Sequence, residues 1–216
     1  IPLTLSFSEN VSLNGGNGLT VNLNSGSSVT FNYVVQNGDV NADLSIASLS
    51  LTTGATLRDA AGNNALIGSL TRNIGQDKAI VVDAQPPTLS IAFSDNALRI
   101  GETSTVTFTF SEDVSNFSSS DITLPSGSGT LGALSSKVVN QNGSVSFAAI
   151  YTPTAELEDD TNTISVGIDW SDIAGNAPAA ATTSGNFSID TKLPKASFSL
   201  NADTGSLTTD LSLIHI

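Results

Sequence analysis

The stretch that decides the fold is Phe110-Ser111-Glu112-Asp113-Val114, followed along the chain by Asp172-Ile173-Ala174-Gly175-Asn176 and by Asp190 ahead of Pro194. The same series occurs earlier as Phe7-Ser8-Glu9-Asn10-Val11, Asp59-Ala60-Ala61-Gly62-Asn63 and Asp83 ahead of Pro86. Motifs that recur in a fixed order indicate repeated domains. Asp83 and Asp190 are 107 residues apart, about the length of one β-sandwich domain. Glu9 and Glu112 are 103 residues apart, so the repeats differ in their loops.

The composition argues against several classes of protein. The 216 residues include no cysteine, which removes disulfides, thiol catalysis and cysteine-based zinc sites. A net charge of −13 with only seven Lys and Arg residues argues against nucleic acid and anionic membranes as partners. No apolar run reaches the roughly 20 residues that cross a bilayer, so we expect no membrane insertion. The acidic balance favours a soluble extended particle, or one whose charge is neutralised by bound cations.

The last six residues, 211–216, differ in character from the rest of the chain. They resemble one reading frame of a common transposon-end sequencing adapter, and we interpret them as an artefact. They contain the only histidine, His215. Without it the chain has no general base with an ordinary pKa near neutrality, so we predict that the protein is not an enzyme.

Apolar and polar residues alternate along Val106–Phe110, Leu89–Phe93, Val29–Val35 and Ile164–Trp170. A period of two predicts half-buried β-strands. Trp170 is therefore expected in the core and not as a sugar-binding platform. Asn37-Gly38 and Asn142-Gly143 predict tight turns. The predicted fold is all-β, with tandem immunoglobulin-like antiparallel β-sandwiches arranged as beads on a string.

The linkers set the expected domain boundaries. Residues 1–84 are predicted to form a sandwich that lacks its first strand, and residues 86–190 a complete one. Residues 194–210 would supply the first strand of a third repeat. Because proline restricts the backbone in both linkers, we expect stiff junctions.

Residues 86–194 resemble the bacterial Ig-like repeats of large surface adhesins and biofilm-associated proteins. The resemblance rests on the two motifs above together with Gly101-Glu102-Thr103, Tyr151-Thr152-Pro153 and Ile189-Asp190-Thr191. It implies a stalk segment at the bacterial cell surface or outside the cell. Its partners would be neighbouring repeats of the same chain, and host or matrix surfaces would be reached through other domains.

One end of each sandwich gathers oxygen-bearing side chains. In the immunoglobulin strand order, the loop after the second strand, the loop before the last strand and the incoming linker share one end. Oxygen donors without basic partners suit Ca²⁺, which takes six to eight oxygens. The predicted calcium ligands are Asp83, Glu112, Asp172 and Asn176 at one junction, Glu9, Asp59 and Asn63 at the equivalent site of the first domain, and Asp190 at the next junction.

Turn chemistry is the alternative explanation for these residues, because Asp and Asn beside Gly bond their own backbone. The acidic run Glu156–Asp160 is expected to be a solvated loop, with a second cation site as the other interpretation.

The predicted function is that of stalk repeats in a secreted or surface-anchored adhesin, stiffened by Ca²⁺ at the domain junctions. The alternatives are a glycan- or protein-binding Ig-like module and spacer domains beside a secreted hydrolase.

Overall fold

A computed structural model describes residues 2–14, 26–32, 34–45, 53–67, 76 and 79–197, and for residues 2–14 and 26–32 the description is of the backbone. The remainder of the predicted third-repeat strand after residue 197 and the segment 211–216 lie outside the described residues.

The described residues form strands joined by turns, with a 3₁₀ helix at Ser119–Asp121 and a helical residue at Gln76. The strands are β1 (Pro2–Asn14), β2 (Gly26–Asn32), β3 (Val40–Asn41), β4 (Thr56–Asp59), β5 (Val82–Asp83), β6 (Leu89–Phe93), β7 (Ala97–Arg99), β8 (Ser104–Phe110), β9 (Val114–Ser115), β10 (Ile122–Thr123), β11 (Gly129–Leu131), β12 (Val138–Val139), β13 (Val145–Pro153), β14 (Glu158–Asn162), β15 (Ser165–Val166), β16 (Ser171–Asp172), β17 (Thr182–Thr183) and β18 (Phe187–Asp190). The predicted all-β fold is confirmed.

The strands after residue 86 form several sheets around one core. The largest sheet has the order β11-β13-β8-β6, with β12 also paired to β13. Smaller sheets have the orders β14-β18-β7, β10-β15-β17 and β16-β9. Strand β8 alternates buried and half-buried residues along its length, which explains the period of two in its sequence. Its buried residues Val106, Phe108 and Phe110 share a hydrophobic core with Ile164, which lies between β14 and β15, and with Ile189 of β18.

The strands before residue 84 pair in two sets. Strand β1 pairs antiparallel with β2 and β4, and β3 pairs antiparallel with β5. Leu57 on β4 and Val82 on β5 are buried. Glycine takes positive φ in both predicted Asn-Gly turns, 86° at Gly38 and 84° at Gly143, which confirms them.

Two predicted strands end earlier in the structure than the alternation of the sequence suggested. Strand β2 ends at Asn32, because the chain then enters the turn in which the Gln36 backbone N–H donates to the Asp39 carboxylate at 2.7 Å. Strand β15 covers only Ser165–Val166. The chain turns after it, and the Trp170 indole N–H donates to the Gly167 carbonyl at 2.9 Å. Trp170 is 3% exposed, so its assignment to the core is confirmed.

The acidic run is not wholly a loop, which corrects the prediction. The turn occupies only its start, where Glu156 has a φ of 56°. Glu158 to Asn162 form β14, which pairs with β18. Glu158, Asp160 and Thr161 remain exposed, and the pairing with β18 is irregular between Asp159 and Asn162.

Candidate metal centre

A short strand pair places Glu112 beside Asp172. Glu112 lies between the end of β8 and the start of β9, and β9 pairs antiparallel with β16 so that Val114 is opposite Asp172. The ring of Phe110, at the end of β8, packs edge to face at 4.7 Å on the ring of Trp170, which precedes β16. This aromatic contact anchors both loops to the core.

The loop after Asp172 is closed by its own asparagine. Asp172 is 1% exposed. Its Oδ1 accepts the Asn176 backbone N–H at 2.8 Å, and its Oδ2 accepts the Asn176 side-chain Nδ2 at 2.7 Å. The Asp172 backbone N–H donates in turn to the Asn176 carbonyl at 3.1 Å, and Gly175 turns the chain with a φ of 96°. The buried carboxylate is thereby held in one orientation.

Asp83 reaches the site from the preceding part of the chain. It ends β5, whose partner β3 begins at Val40. The next residue, Ala84, donates its N–H to the Asp39 carbonyl and accepts the Gly38 N–H, both at 2.8 Å. The Asp83 carbonyl accepts a hydrogen bond from Asn176 Nδ2 at 3.1 Å. The linker is therefore hydrogen-bonded both to the Gly38–Asp39 turn before it and to Asn176 of the domain after it.

The three carboxylates converge. One oxygen from each of Asp83, Glu112 and Asp172 lies within 4.8 Å of the others. Burial, and then the charges of Asp83 and Asp172, raise the pKa of Glu112 above its ordinary value. In the described part of the chain, the ion pairs join Lys137 to Asp113 and Lys192 to Glu158, and neither includes this cluster.

This arrangement fits a divalent cation. Oxygens that bind Ca²⁺ lie about 2.4 Å from the ion, so two of them are at most about 4.8 Å apart. Three carboxylates leave positions for carbonyl oxygens and water in a shell of six to eight ligands. Hard, negatively charged oxygens favour Ca²⁺ over softer metals.

The loop at Asp59 repeats the hydrogen bonds of the loop at Asp172. Asp59 Oδ1 accepts the Asn63 backbone N–H, and its Oδ2 accepts Asn63 Nδ2, both at 2.7 Å. These bonds hold the pKa of Asp59 below its ordinary value. Val11 on β1 is opposite Asp59, just as Val114 is opposite Asp172. The side chain of Glu9 lies outside the described residues, so its position relative to Asp59 stays a prediction.

Asp190 lies apart from the cluster. It is exposed at the end of β18, and its Oδ1 accepts the Lys192 N–H at 3.3 Å. Asp83 Oδ1 accepts the Gln85 N–H in the same way at 3.2 Å. Within the described residues, Asp190 belongs to no group of three acidic side chains close enough to share an ion. Its role at a further junction stays a prediction.

Sequence reasoning missed two features of the site. The side-chain nitrogens of Asn63 and Asn176 donate to Asp59 and Asp172, a role that the sequence did not indicate, while the use of their side-chain oxygens as calcium ligands stays a prediction. The contact of Ala84 with the Gly38–Asp39 turn was also missed. The Asn37-Gly38 signal located that turn, but no sequence pattern connects it to a linker some 45 residues later.

The family model described as bacterial Ig-like domain matches residues 83–189, a range that includes all three clustered carboxylates. Neither a curated protein nor a solved structure matches the chain. Domains of this family are generally non-enzymatic structural modules and commonly occur in extracellular or surface proteins. No helix in the described residues is long and apolar enough to cross a membrane. Residues 83–189 of this chain belong to the bacterial Ig-like domain family.

Proposed function

We propose that this chain is an extender segment of a bacterial surface or secreted adhesin, in which Ca²⁺ stiffens the junction between consecutive Ig-like domains. The observation that carries the proposal is the convergence of Asp83 from the linker with Glu112 and Asp172 from the domain that follows.

Matching strand registers support the view that the first part of the chain is a second domain of the same kind. Leu5 is opposite Val29 in the β1–β2 pair, and Phe108 is opposite Phe147 at the corresponding place in β8–β13. Val40 is opposite Asp83, and Glu158 is opposite Asp190. Equivalent residues are therefore paired in both parts of the chain. A chance repetition of short motifs would not produce this agreement in strand register.

The bonds of the linker also agree between the two parts. Ala84 donates its N–H to the Asp39 carbonyl, and Thr191 donates its N–H to the Leu157 carbonyl, both at 2.8 Å. The residue before the acceptor has positive φ in each case, at Gly38 and at Glu156. The last strand of each part therefore leaves its sheet in the same way.

The electrostatics support a cation clamp. Asp83 pairs with Val40 of the preceding part of the chain, whereas Glu112 and Asp172 belong to the following domain, so the mutual repulsion of the three carboxylates opposes closure of the junction. A divalent ion would neutralise the three charges and join the two sides. Extracellular calcium modules bind with dissociation constants of about 10⁻⁴ to 10⁻³ M, which matches free calcium outside cells better than inside.

The burial of aromatic side chains favours this function over glycan binding. Trp170 and Tyr151 are 3% and 0% exposed, and no aromatic residue is among the exposed large hydrophobic side chains of the described residues. Sugar-binding platforms require exposed aromatic faces.

Calorimetric titration of the chain with Ca²⁺, combined with small-angle scattering in calcium and in chelator, tests the proposal. We expect binding in the millimolar range or tighter and a narrower range of interdomain arrangements with calcium. Asp83→Asn should weaken binding about tenfold, because one ligand charge is lost.

Asp95→Asn is the matched control, since the exposed Asp95 also accepts a bond from the backbone N–H two positions later but is outside the cluster. Equal effects of the two substitutions, or scattering that does not respond to calcium in the unsubstituted chain, would contradict the clamp.

A further inference from the structure

Asn176 has two acceptors that belong to different sides of the junction. Its Nδ2 donates to Asp172 Oδ2 at 2.7 Å within its own loop. The same nitrogen donates to the backbone carbonyl of Asp83 at 3.1 Å, across 93 residues of sequence. A side-chain amide has two N–H donors, so both bonds can form at once.

The loop itself does not require the second bond. Asn63 makes the same two bonds to Asp59 that Asn176 makes to Asp172, at 2.7 Å each against 2.8 and 2.7 Å. Among the described residues, the Asn63 side chain donates to no residue outside its own loop. The bond to Asp83 is therefore an addition that the internal chemistry of the loop does not explain.

We infer that Asn176 is a positioning residue that holds the linker against the following domain in the absence of a cation. This inference rests on the proposed function in one respect, namely that Asp83 lies at a junction between domains. Asp83 then takes part in two separate constraints, its carbonyl being bonded to Asn176 and its carboxylate facing Glu112 and Asp172. Removal of calcium would loosen the junction without releasing it.

The experiment measures the distance between two spin labels across the junction. Since the chain has no cysteine, Leu66→Cys and Gln141→Cys create unique labelling sites, and both positions are exposed. In chelator, the distance distribution of Asn176→Ala should be broader than that of the labelled parent. The distribution of Asn63→Ala should equal that of the parent, because Asn63 makes the loop bonds without the linker bond.

Emission of Trp170, the only tryptophan of the chain, reports whether residues 83–189 remain folded in each variant. If Asn176→Ala does not fold, Asn176→Ser replaces it, since a serine keeps a polar group near Asp172 but is too short to reach Asp83. A parent distribution in chelator as broad as that of the variant would overturn the inference.

Measurements of calcium affinity on the same variants distinguish this inference from the proposed function. Asn176→Asp loses the donor to Asp83 and adds a carboxylate, so its distribution should be broad in chelator while its calcium affinity rises on the order of tenfold. If Asn176 were a calcium ligand and not a tether, Asn176→Ala would weaken calcium binding and leave the chelator distribution unchanged. An absence of calcium binding by the parent would contradict the clamp, whereas the comparison in chelator would still decide the role of Asn176.

Discussion

Glu112 is the carboxyl group of the cluster whose pKa is raised in this structure. Partial burial raises its pKa most, and the charges of Asp83 and Asp172 raise it further. Asp172 is more deeply buried, but it accepts two hydrogen bonds from Asn176 that offset its loss of solvent. The electrostatic repulsion among the three carboxylates is therefore seen in the raised pKa of Glu112.

The raised pKa predicts how stability depends on pH. A carboxyl group that binds its proton more tightly in the folded state stabilises the fold below its ordinary pKa of 4.5. That contribution is lost as the pH rises through the raised pKa. In chelator, we therefore expect the free energy of unfolding to fall over this window, as measured by urea denaturation followed by Trp170 fluorescence.

Glu112→Gln should flatten this decline in chelator and remove most of the stabilisation by calcium. Glu156→Gln is the control, because Glu156 is exposed and lies outside the cluster. A pH profile that is the same in Glu112→Gln and in the unsubstituted chain would refute the assignment of the shift to Glu112.

At the scale of elements, β11 is fitted closely to β13. Gly129 is opposite Pro153, and a Cβ at position 129 would lie 2.3 Å from the Thr152 carbonyl oxygen and 2.7 Å from the Tyr151 hydroxyl. The Tyr151 hydroxyl donates to Ser128 Oγ at 2.8 Å. The buried tyrosine thus occupies the space that a side chain at position 129 would need.

Gly129→Ala should destabilise the domain by about 2 kcal/mol, because the new methyl group forces backbone and ring to move apart. Gly185→Ala is the matched control, since its Cβ would meet nothing within 4 Å and its φ is not positive. The urea midpoint from Trp170 fluorescence measures both. A Gly129→Ala midpoint equal to that of Gly185→Ala would show that β11 can shift without cost.

At the scale of the whole molecule, the strands before residue 84 and those after residue 86 bury separate groups of residues, which predicts that the two parts unfold as separate cooperative units. The buried residues of β4 and β5, Leu57 and Val82, lie outside the core cluster that contains Ile164 and Trp170. Two domains joined by a short linker unfold independently unless their interface couples them.

We expect far-ultraviolet circular dichroism of the chain to show two unfolding steps in chelator, and Trp170 fluorescence to show one. Leu57→Ala should shift only the step that fluorescence does not report, by roughly 2–5 kcal/mol. Ile164→Ala, at a position 0% exposed, should shift the fluorescence step by a similar amount. One step that both substitutions shift equally would indicate a single cooperative unit instead.

Much of the fold follows from local sequence. Alternation predicted the bounds of β6 and the last five residues of β8, which begins two residues earlier at Ser104, because a strand with one buried face needs an apolar residue at every second position. Alternation held along Ile164–Trp170 only at Ser165–Val166, because the chain then turns: Ile168 is exposed, and the indole N–H of Trp170 bonds to the Gly167 carbonyl. It also left the acidic strand β14 unrecognised, because that strand is held by pairing with β18 and not by apolar residues of its own.

The sequence by itself determined the fold class, the family of residues 83–189 and the choice of Asp83, Glu112 and Asp172 as residues that meet, since recurring motifs in a known strand order place them at one end. Only the tertiary structure decided which atoms face each other. Asn176 and Asn63 are the same residue in the same motif, yet only Asn176 donates to the linker. The bond from Asn176 to Asp83 joins residues 93 apart in sequence, and contacts between residues so far apart leave no local pattern to read.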